Sequence, residues 1–230
     1  MEKNQLNLIL RVLKKMYASE VLDNLVIVGS WALYFYQYYF HQGEYFPDIR
    51  TRDIDFLVPL PPKFKRNVDI PLLLKEFGFI VHHGGTKGYI RLDHPELIVE
   101  FLIPEMGKGR DTPYPLPSLG LNAQPLRFLH FLAEHTITIE HENMKLRLPH
   151  PAAYALHKLI IFDRRRTKDK AEKDSKQAIQ LLQYLEKNSK DIREIKTIFS
   201  TMHKKWQKTV LENLKKLDEE NLIQLLVKIS

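Results

Sequence analysis

Hydrophobic and polar positions along the first sixty residues predict helices alternating with strands. Apolar residues at positions 6, 9, 10, 13 and 17 have the spacing of an amphipathic helix. The run "NLVIVG" at 24–29 predicts a buried strand, and "SWALYFYQYYF" at 30–40 predicts a helix packed against it. A loop is predicted at 41–51, and "DIDFLVPL" at 53–60 predicts a second strand that "PLPPK" brings to an end.

The mixed pattern continues to about residue 150. A helix is predicted over 69–78, with Gly78 as its C-cap residue. Three short strands and a hairpin follow, at 79–83, 89–93, 97–103 and 137–149. The glycine-rich segment 84–88 joins two of the strands, and 104–120 is predicted to be a long loop rich in Pro and Gly.

From Pro151 onward the pattern is helical only, and no internal repeat is visible. Four helical segments are predicted, at 151–165, 174–187, 191–206 and 211–229. We therefore expect a mixed α/β (α+β) domain over residues 1–150, followed by an all-helical domain over residues 151–230.

Composition places the chain among ordinary globular proteins. Its 230 residues are 44% hydrophobic and 27% charged, a length and balance that allow a sizeable core. No apolar run approaches the roughly 20 residues that cross a bilayer, and no signal-peptide pattern is present. The absence of cysteine excludes disulfides and thiolate metal sites. A cytoplasmic protein that does not interact with membranes is therefore expected.

The charge is distributed unevenly. Residues 151–230 carry 18 basic and 11 acidic side chains, whereas residues 1–150 carry 17 of each. A basic surface attracts nucleotides and nucleic acids, although lysine-rich solvated helix faces would give the same balance.

Two carboxylates predict a metal site. Asp53 and Asp55 are two positions apart on a predicted strand, so both side chains face the same side. Glu100 lies within the apolar run "LIVEFLI", where an unpaired charge is costly. Three carboxylates on adjacent strands would suit Mg²⁺ or Mn²⁺. Glu100 could instead form an ion pair with Arg91 across the predicted hairpin.

Gly29 and Ser30 predict a phosphate-binding turn. Gly29 allows the backbone to approach a ligand closely, and Ser30 is expected to cap the following helix. The N-terminus of a helix is a natural anion site. A phosphate-binding turn followed by a metal-binding strand suits phosphoryl or nucleotidyl transfer.

These elements together resemble the signature of the polymerase-β-type nucleotidyltransferase superfamily. The segments "VGSWALYFY", "TRDIDFLV", "VEFLIP", "LPHPAAYALHKLIIFDRRR" and "KDSKQAIQLL" are similar to bacterial nucleotidyltransferase-like proteins related to the abortive-infection toxins of type IV toxin–antitoxin systems. The resemblance covers roughly residues 20–185. The gap between Gly29-Ser30 and Asp53 is longer than the usual spacing of that family.

The resemblance implies a nucleotidyltransferase-fold mixed sheet with flanking helices, and it implies residue roles. Gly29 and Ser30 would bind the nucleotide phosphates, and Asp53, Asp55 and Glu100 would bind metal and act in catalysis. Lys158 and Asp174 match functional positions on the helical domain of the toxin relatives.

Four further residues are candidate nucleotide contacts. Arg164, Arg165 and Lys168 belong to the charged cluster "DRRRTKDKAEKD" and are predicted to contact phosphate, although such a cluster is commonly a solvated surface. Trp31 follows Ser30 and is predicted to border the nucleotide pocket, whereas the other aromatic residues of its helix are expected in the core.

The expected activity is metal-dependent transfer of a nucleotidyl group from an NTP to a hydroxyl acceptor in RNA or another polyanion, a small molecule or a protein. An alternative is a non-catalytic binding module or antitoxin that binds a toxin or nucleic acid. A toxin–antitoxin partner protein is therefore also an expectation.

Overall fold

The computed structural model divides the chain into two compact units, Met1–Pro149 and His150–Ser230. It describes residues 3–40, 45, 51–84, 88–107, 112–165 and 167–227. The predicted loop at 41–51 and the glycine-rich segment at 84–88 lie largely outside the described residues, as does part of the loop predicted at 104–120.

The first unit mixes helices and strands, as the hydrophobic pattern predicts. Its described helices are α1 (Lys3–Ala18), α2 (Gly29–Tyr39), α3 (Ile70–Lys75) and α4 (Leu129–Glu134). Its described strands are β1 (Val26–Val28), β2 (Asp53–Leu57), β3 (Ile80–Gly84), β4 (Tyr89–Asp93), β5 (Ile98–Pro104), β6 (Tyr114–Leu116), β7 (Leu121–Leu126), β8 (Thr136–His141) and β9 (Met144–Pro149).

Strand β5 is the centre of a mixed sheet. The order of strands is β1-β2-β5-β4-β3, and β7 pairs with both β5 and β6. Strand β2 runs parallel to β5 along one edge. On the other edge, β4 pairs antiparallel with the first half of β5, and β7 pairs parallel with its second half. The parallel and antiparallel pairings of β5 confirm the expected mixed sheet. Strands β8 and β9 form a separate hairpin.

Alternating burial along the central strands separates a core face from a polar face. Ile54 and Phe56 of β2 and Val99 and Phe101 of β5 are at most 2% exposed. The rings of Phe56 and Phe101 stack with their centroids 5.6 Å apart. Burial of these side chains supplies the hydrophobic free energy that holds the two strands together.

The prediction of a long loop at 104–120 is partly wrong. It contains the short strand β6 and a 3₁₀ turn at Pro117–Leu119, which ends on the left-handed Gly120 with φ of +64°. The strand β7 and the helix α4 that follow were not predicted from the sequence. Both are only 6 residues long and lack a clear period, which explains why the pattern does not reveal them.

The second unit contains helices α5 (Pro151–Ile161), α6 (Lys168–Leu185), α7 (Ser189–Thr201), α8 (Lys204–Lys216) and α9 (Glu220–Val227) in its described part. Its core includes Leu156 and Leu159 of α5 and Leu181 of α6, all at most 1% exposed. The buried amide of Asn213 donates to the Leu159 carbonyl at 2.8 Å and ties α8 to α5. No helix in the described ranges of either unit is long and apolar enough to cross a membrane.

Two helices predicted as continuous are interrupted. The segment 191–206 breaks at His203, whose Nδ1 accepts from the Lys205 amide at 3.2 Å and so caps α8. The segment 211–229 breaks at Asp218, which has a left-handed φ of +57°. Apolar residues continue on both sides of each break, so hydrophobic spacing alone does not predict them.

Helix α2 is fixed to the end of the first unit by a buried hydrogen bond. The hydroxyl of Tyr36 donates to the carbonyl of Pro149 at 2.9 Å, and Tyr36 is fully buried. This contact joins the helix that begins at Gly29 to the last residue of β9.

We expect Tyr36→Phe to lower the free energy of unfolding by about 1 kcal/mol, because it leaves the Pro149 carbonyl without this donor. Tyr17→Phe is the matched control, since Tyr17 is 36% exposed. Chemical denaturation of the three proteins measures the difference. Equal stability of the two variants would contradict a structural role for this hydrogen bond.

Candidate functional site

The two aspartates predicted to bind metal lie on β2 and share its polar face. Asp53 is exposed and Asp55 is half-buried, whereas Ile54 and Phe56 between and beside them are buried. The alternation places both carboxylates on the side of the sheet opposite the core residues.

Glu100 lies beside Asp55 on the neighbouring strand. The two residues are register partners in the parallel pairing of β2 with β5, so their side chains project from the same face. No hydrogen bond or ion pair joins Glu100 to any described residue. Burial raises the pKa of Glu100 above its usual range, the Asp53 carboxylate raises it further, and Arg91 opposes both effects.

Arg91 forms its ion pair with Asp93 rather than with Glu100. Arg91 and Glu100 are register partners in the pairing of β4 with β5. The Nε atom of Arg91 nevertheless lies 2.8 Å from Oδ1 of Asp93, and its Nη2 donates to Oδ2 at 3.0 Å. The alternative ion pair between Arg91 and Glu100 is therefore not formed.

Gly29 brings the start of α2 against the Asp55 side chain. Its φ is +66°, and a Cβ atom at this position would overlap Oδ2 of Asp55 and lie 3.3 Å from Cγ. Only glycine combines this conformation with this close approach. The beginning of α2 thus contacts β2, the strand that carries Asp53 and Asp55, at Gly29 and Asp55.

The prediction that Ser30 caps α2 is wrong. The helix begins at Gly29 with Val28 in the N-cap position, and no side chain forms a capping hydrogen bond there. Ser30 lies in the first turn, where backbone N–H groups have no partner within the helix. It therefore offers an amide and a hydroxyl near the helix start rather than a cap.

Trp31 does not fit its predicted place at the border of a nucleotide pocket. Its side chain is 0% exposed, and its ring packs edge-to-face on Tyr34 with centroids 5.5 Å apart. A side chain without exposed surface belongs to the core of the first unit.

Asp53, Asp55 and Glu100 offer the kind of ligand atom that a hard divalent cation prefers, but their side chains do not form a cluster. All three offer carboxylate oxygens, which Mg²⁺ and Mn²⁺ prefer. Within the described ranges, no group of three or more Asp, Glu or His side chains is close enough together to hold a metal ion. Glu100 is a half-buried carboxylate without a partner, and a cation would relieve its repulsion by Asp53.

In the helical unit, Lys158 and Asp174 form a buried ion pair. The Nζ atom of Lys158 donates to Oδ1 of Asp174, and the two side chains are 10% and 6% exposed. Nε of Arg165, a residue predicted to contact phosphate, donates to Oδ2 of the same carboxylate at 2.5 Å. The Lys158 Nζ also lies 5.1 Å from the centroid of the Tyr154 ring. One carboxylate thus faces two cations.

The environment of this cluster shifts both pKa values downward. Burial would raise the pKa of Asp174, but the charges and hydrogen bonds of Lys158 and Arg165 outweigh it and hold the pKa below its usual range. Burial lowers the pKa of Lys158, and the Asp174 carboxylate opposes that change. The pair is ionised, because Asp174 accepts two charge-assisted hydrogen bonds.

The other predicted phosphate contacts are exposed. Arg164 ends the 3₁₀ turn after α5, and Lys168 is the first residue of α6.

Sequence reasoning missed Asp93 as the partner of Arg91 and Gln124 as a neighbour of Glu100. The spacing of two between Arg91 and Asp93 on a predicted strand is a local signal for their pairing. Gln124 has no such signal, because β7 was not predicted and its pairing with β5 is long-range.

Family comparison defines the class of protein. The sequence matches the model of a nucleotidyltransferase family over residues 7–198, which is most of the chain. The chain therefore belongs to this family of enzymes, and the predicted nucleotidyltransferase identity is confirmed. A search of curated proteins by sequence found no match.

The chain is similar to solved structures, one of them with a TM-score above 0.5. An antigenic nucleotidyltransferase-like protein from Paracoccidioides brasiliensis is similar with a TM-score of 0.54 at 14% identity, over 100% of this chain and 97% of that one. The structure of ANT(2")-Ia in complex with adenylyl-2"-tobramycin has a TM-score of 0.48 at 11% identity, over 94% of this chain and 99% of that one. The first similarity supports the nucleotidyltransferase fold.

We expect Gly29→Ala to displace the Asp55 carboxylate, because the new Cβ would occupy the position of its Oδ2. Gly107→Ala is the matched control, since Gly107 has a φ of +63° but nothing within 4 Å of its added Cβ. Both variants should lose about 1–2 kcal/mol of stability from the left-handed backbone. The ¹³C resonance of the Asp55 carboxyl group should shift in Gly29→Ala only, and an unshifted resonance would contradict the close approach.

We expect Asp174→Asn to lower the free energy of unfolding by about 3–5 kcal/mol at neutral pH, because it leaves Lys158 buried without its counter-charge. Asp169→Asn, an exposed change on the same helix, should cost less than about 1 kcal/mol.

The effect of Asp174→Asn should depend on pH. Because the folded-state pKa of Asp174 is lowered, its stabilisation is present above the unfolded pKa of about 3.9 and is lost as pH falls through the folded value. Chemical denaturation at several pH values should show the gap between wild type and Asp174→Asn narrowing in acid. A gap that is constant with pH would contradict the ionised pair.

Proposed function

We propose that this chain transfers a nucleotidyl group from an NTP to a hydroxyl acceptor, with Mg²⁺ or Mn²⁺ bound by Asp53, Asp55 and Glu100. The observation that carries this proposal is the contact between Gly29 and Asp55, which brings a helix start and a carboxylate strand together. Phosphates and their counter-ion need to bind at adjacent positions, and this junction offers both kinds of group.

The first turn of α2 is the proposed site for the nucleotide phosphates. The lack of a side chain at Gly29 lets the start of α2 lie against Asp55, and the Ser30 amide and hydroxyl can donate to phosphate oxygens. The partial positive charge of the helix start adds to this attraction. A bound divalent ion would neutralise phosphate charge and lower the pKa of the acceptor hydroxyl.

The proposed reaction is a single displacement at the α-phosphorus. The acceptor oxygen forms a bond to this phosphorus while the bond to the oxygen bridging to the β-phosphate breaks, and pyrophosphate leaves with that bridging oxygen. The hydroxyl proton passes to a carboxylate of the site or to solvent. Asp53, Asp55 and Glu100 would hold the divalent ion through their negative charge.

We propose that the cationic cluster of the helical unit binds phosphate. Lys158 and Arg165 share one carboxylate, so the group retains an excess positive charge. The exposed Arg164 and Lys168 add to it. Asp174 then acts as a positioning residue, because it holds Lys158 and Arg165 in place.

Membership of an enzyme family favours catalysis over the alternative of a non-catalytic binding module. The acceptor class stays open among RNA, a small molecule and a protein, and a toxin–antitoxin partner stays a prediction. Incubation with each α-³²P-labelled NTP, Mg²⁺ or Mn²⁺, and separate fractions of cellular RNA, protein and metabolites tests the proposal. Label transferred to one fraction identifies the acceptor class, and no label in any fraction contradicts the proposal.

We expect Asp55→Asn to abolish transfer while preserving the fold, because it removes a metal-binding charge without changing side-chain size. Asp23→Asn is the control, since Asp23 is an exposed residue of the 3₁₀ turn before β1. Mg²⁺ should raise the Tm of wild type and of Asp23→Asn by mass action but not that of Asp55→Asn. Full activity in Asp55→Asn, or an unchanged Mg²⁺ response, would contradict the metal site.

A further inference from the structure

A small cavity opens beside Glu100, where β5 changes its neighbour. Strand β4 pairs with β5 as far as Glu100, opposite Arg91, and β7 pairs with it from Leu102, opposite Gln124. The cavity measures about 200 Å³ and is lined by residues of all three strands, including Tyr89, Arg91, Glu100, Phe101 and Gln124. The change of partner leaves the space between the two neighbours of β5.

Two hydrogen bonds join β4 and β7, the two neighbours of β5 on this side. The side chain of Asn122 on β7 accepts from the Ile90 amide of β4 at 2.8 Å and donates to the Gly88 carbonyl at 3.1 Å. Since one side chain contacts the backbone before and within β4, the walls of the cavity are fixed relative to each other.

Three polar side chains around the cavity have unused hydrogen-bonding capacity. Neither the Glu100 carboxylate nor the Gln124 amide has a hydrogen-bond partner in the part of the chain that the structure describes. Arg91 donates to Asp93 through Nη2, whereas its Nε lies 2.8 Å from Oδ1 of Asp93 without forming a hydrogen bond and its Nη1 has no partner among those residues. The free energy of half-buried polar groups of this kind falls when a ligand or water forms hydrogen bonds with them.

The types of these groups indicate hydroxyl recognition. A hydroxyl both donates and accepts, so it can donate to the Glu100 carboxylate and accept from Arg91 or Gln124. Tyr89, two positions from Arg91 and on the same face of β4, lines the same space and offers apolar surface. A saccharide-sized ring presents hydroxyls at its edge and C–H groups on its face, which matches this combination.

The charge balance indicates an uncharged ligand. Asp93 neutralises Arg91, so the described residues that line the cavity offer no unpaired cation to a phosphate, and Glu100 would repel one. In the proposed function Glu100 binds the divalent ion. Its negative charge is then balanced and would not attract an ammonium group. A volume of about 200 Å³ is below the 300–1,000 Å³ that is usual for whole ligand pockets, so the cavity holds one ring and not a whole nucleotide.

We propose that this cavity is the subsite for the reacting end of the acceptor, an uncharged saccharide-sized ring with adjacent hydroxyls, and that Gln124 and Arg91 determine its specificity. The proposal rests on the proposed function for its catalytic meaning. The ring belongs either to a free saccharide or to the terminal ribose of a nucleic acid.

Binding is tested by titrating four probes into ¹⁵N-labelled protein with Mg²⁺ and following backbone amides by NMR. Methyl α-D-glucopyranoside represents a free saccharide, and methyl β-D-ribofuranoside represents a terminal ribose. Glucosamine and glucose 6-phosphate add a positive or a negative charge to a similar ring. At least one uncharged ring should shift the amides of Arg91, Glu100 and Gln124 with a Kd of about 1 mM, as expected for a ligand of this size.

Gln124→Met tests the residue-level assignment. It keeps side-chain length but removes the amide, and it should weaken binding of the uncharged ring about five- to tenfold. Gln183→Met, the same change at an exposed position of the helical unit, should leave the Kd unchanged. The backbone pairing of Gln124 with Leu102 does not depend on its side chain, so the variant should fold.

Each outcome supports or overturns the proposal. Binding of only one uncharged ring supports it and identifies the source of that ring. It is overturned by tighter binding of glucosamine or glucose 6-phosphate, by no shift of these amides at 50-fold the expected Kd (about 50 mM), or by an unchanged Kd in Gln124→Met. A separate titration with Mg²⁺ and a non-hydrolysable NTP, followed at the Gly29 and Asp55 amides, reports on the proposed function. Shifts there without ring binding would refute the subsite alone.

Discussion

The register of β2 with β5 is the constraint on which the candidate site of the first unit depends. Asp55 and Glu100 are register partners, and Asp53 adds a third charge on the same face. The opposite face supplies the compensating free energy, because Phe56 and Phe101 bury their rings against each other there. The sheet therefore keeps Glu100 under the influence of the Asp53 carboxylate, a repulsion that a cation would relieve.

The helical unit handles buried charge in the opposite way. Asp174 is buried but faces two cations, Lys158 and Arg165, so its negative charge is more than balanced. The first unit thus has unbalanced carboxylates, and the second has an excess of positive charge around a single one.

The partner change along β5 explains why polar groups gather beside Glu100. A strand that pairs with one neighbour throughout leaves no space at its edge, whereas β5 passes from β4 to β7 within a few residues. The Asn122 side chain joins the two neighbours across this junction. The junction lies next to the register position of Asp55, so a cavity and the candidate metal ligands share one face of the sheet.

Local sequence determined much of the fold and part of the candidate site. The period of two in "DIDFLV" places both aspartates on one face whatever the partner strand is, and most helices and strands follow from their apolar spacing. The resemblance carried by the same motifs indicated the enzyme family. These features depend on neighbouring residues and so are readable without the tertiary structure.

Only the tertiary structure decided the contacts between distant segments. The hydrogen bond of Tyr36 to Pro149, the sharing of Asp174 by Lys158 and Arg165, and the complete burial of Trp31 each depend on which surfaces meet in the folded chain. Strand register and partner order are set by long-range packing, since many pairings satisfy the same local pattern. The cavity beside Glu100 follows from such a choice, the change of neighbour along β5, and therefore has no local signature in the sequence.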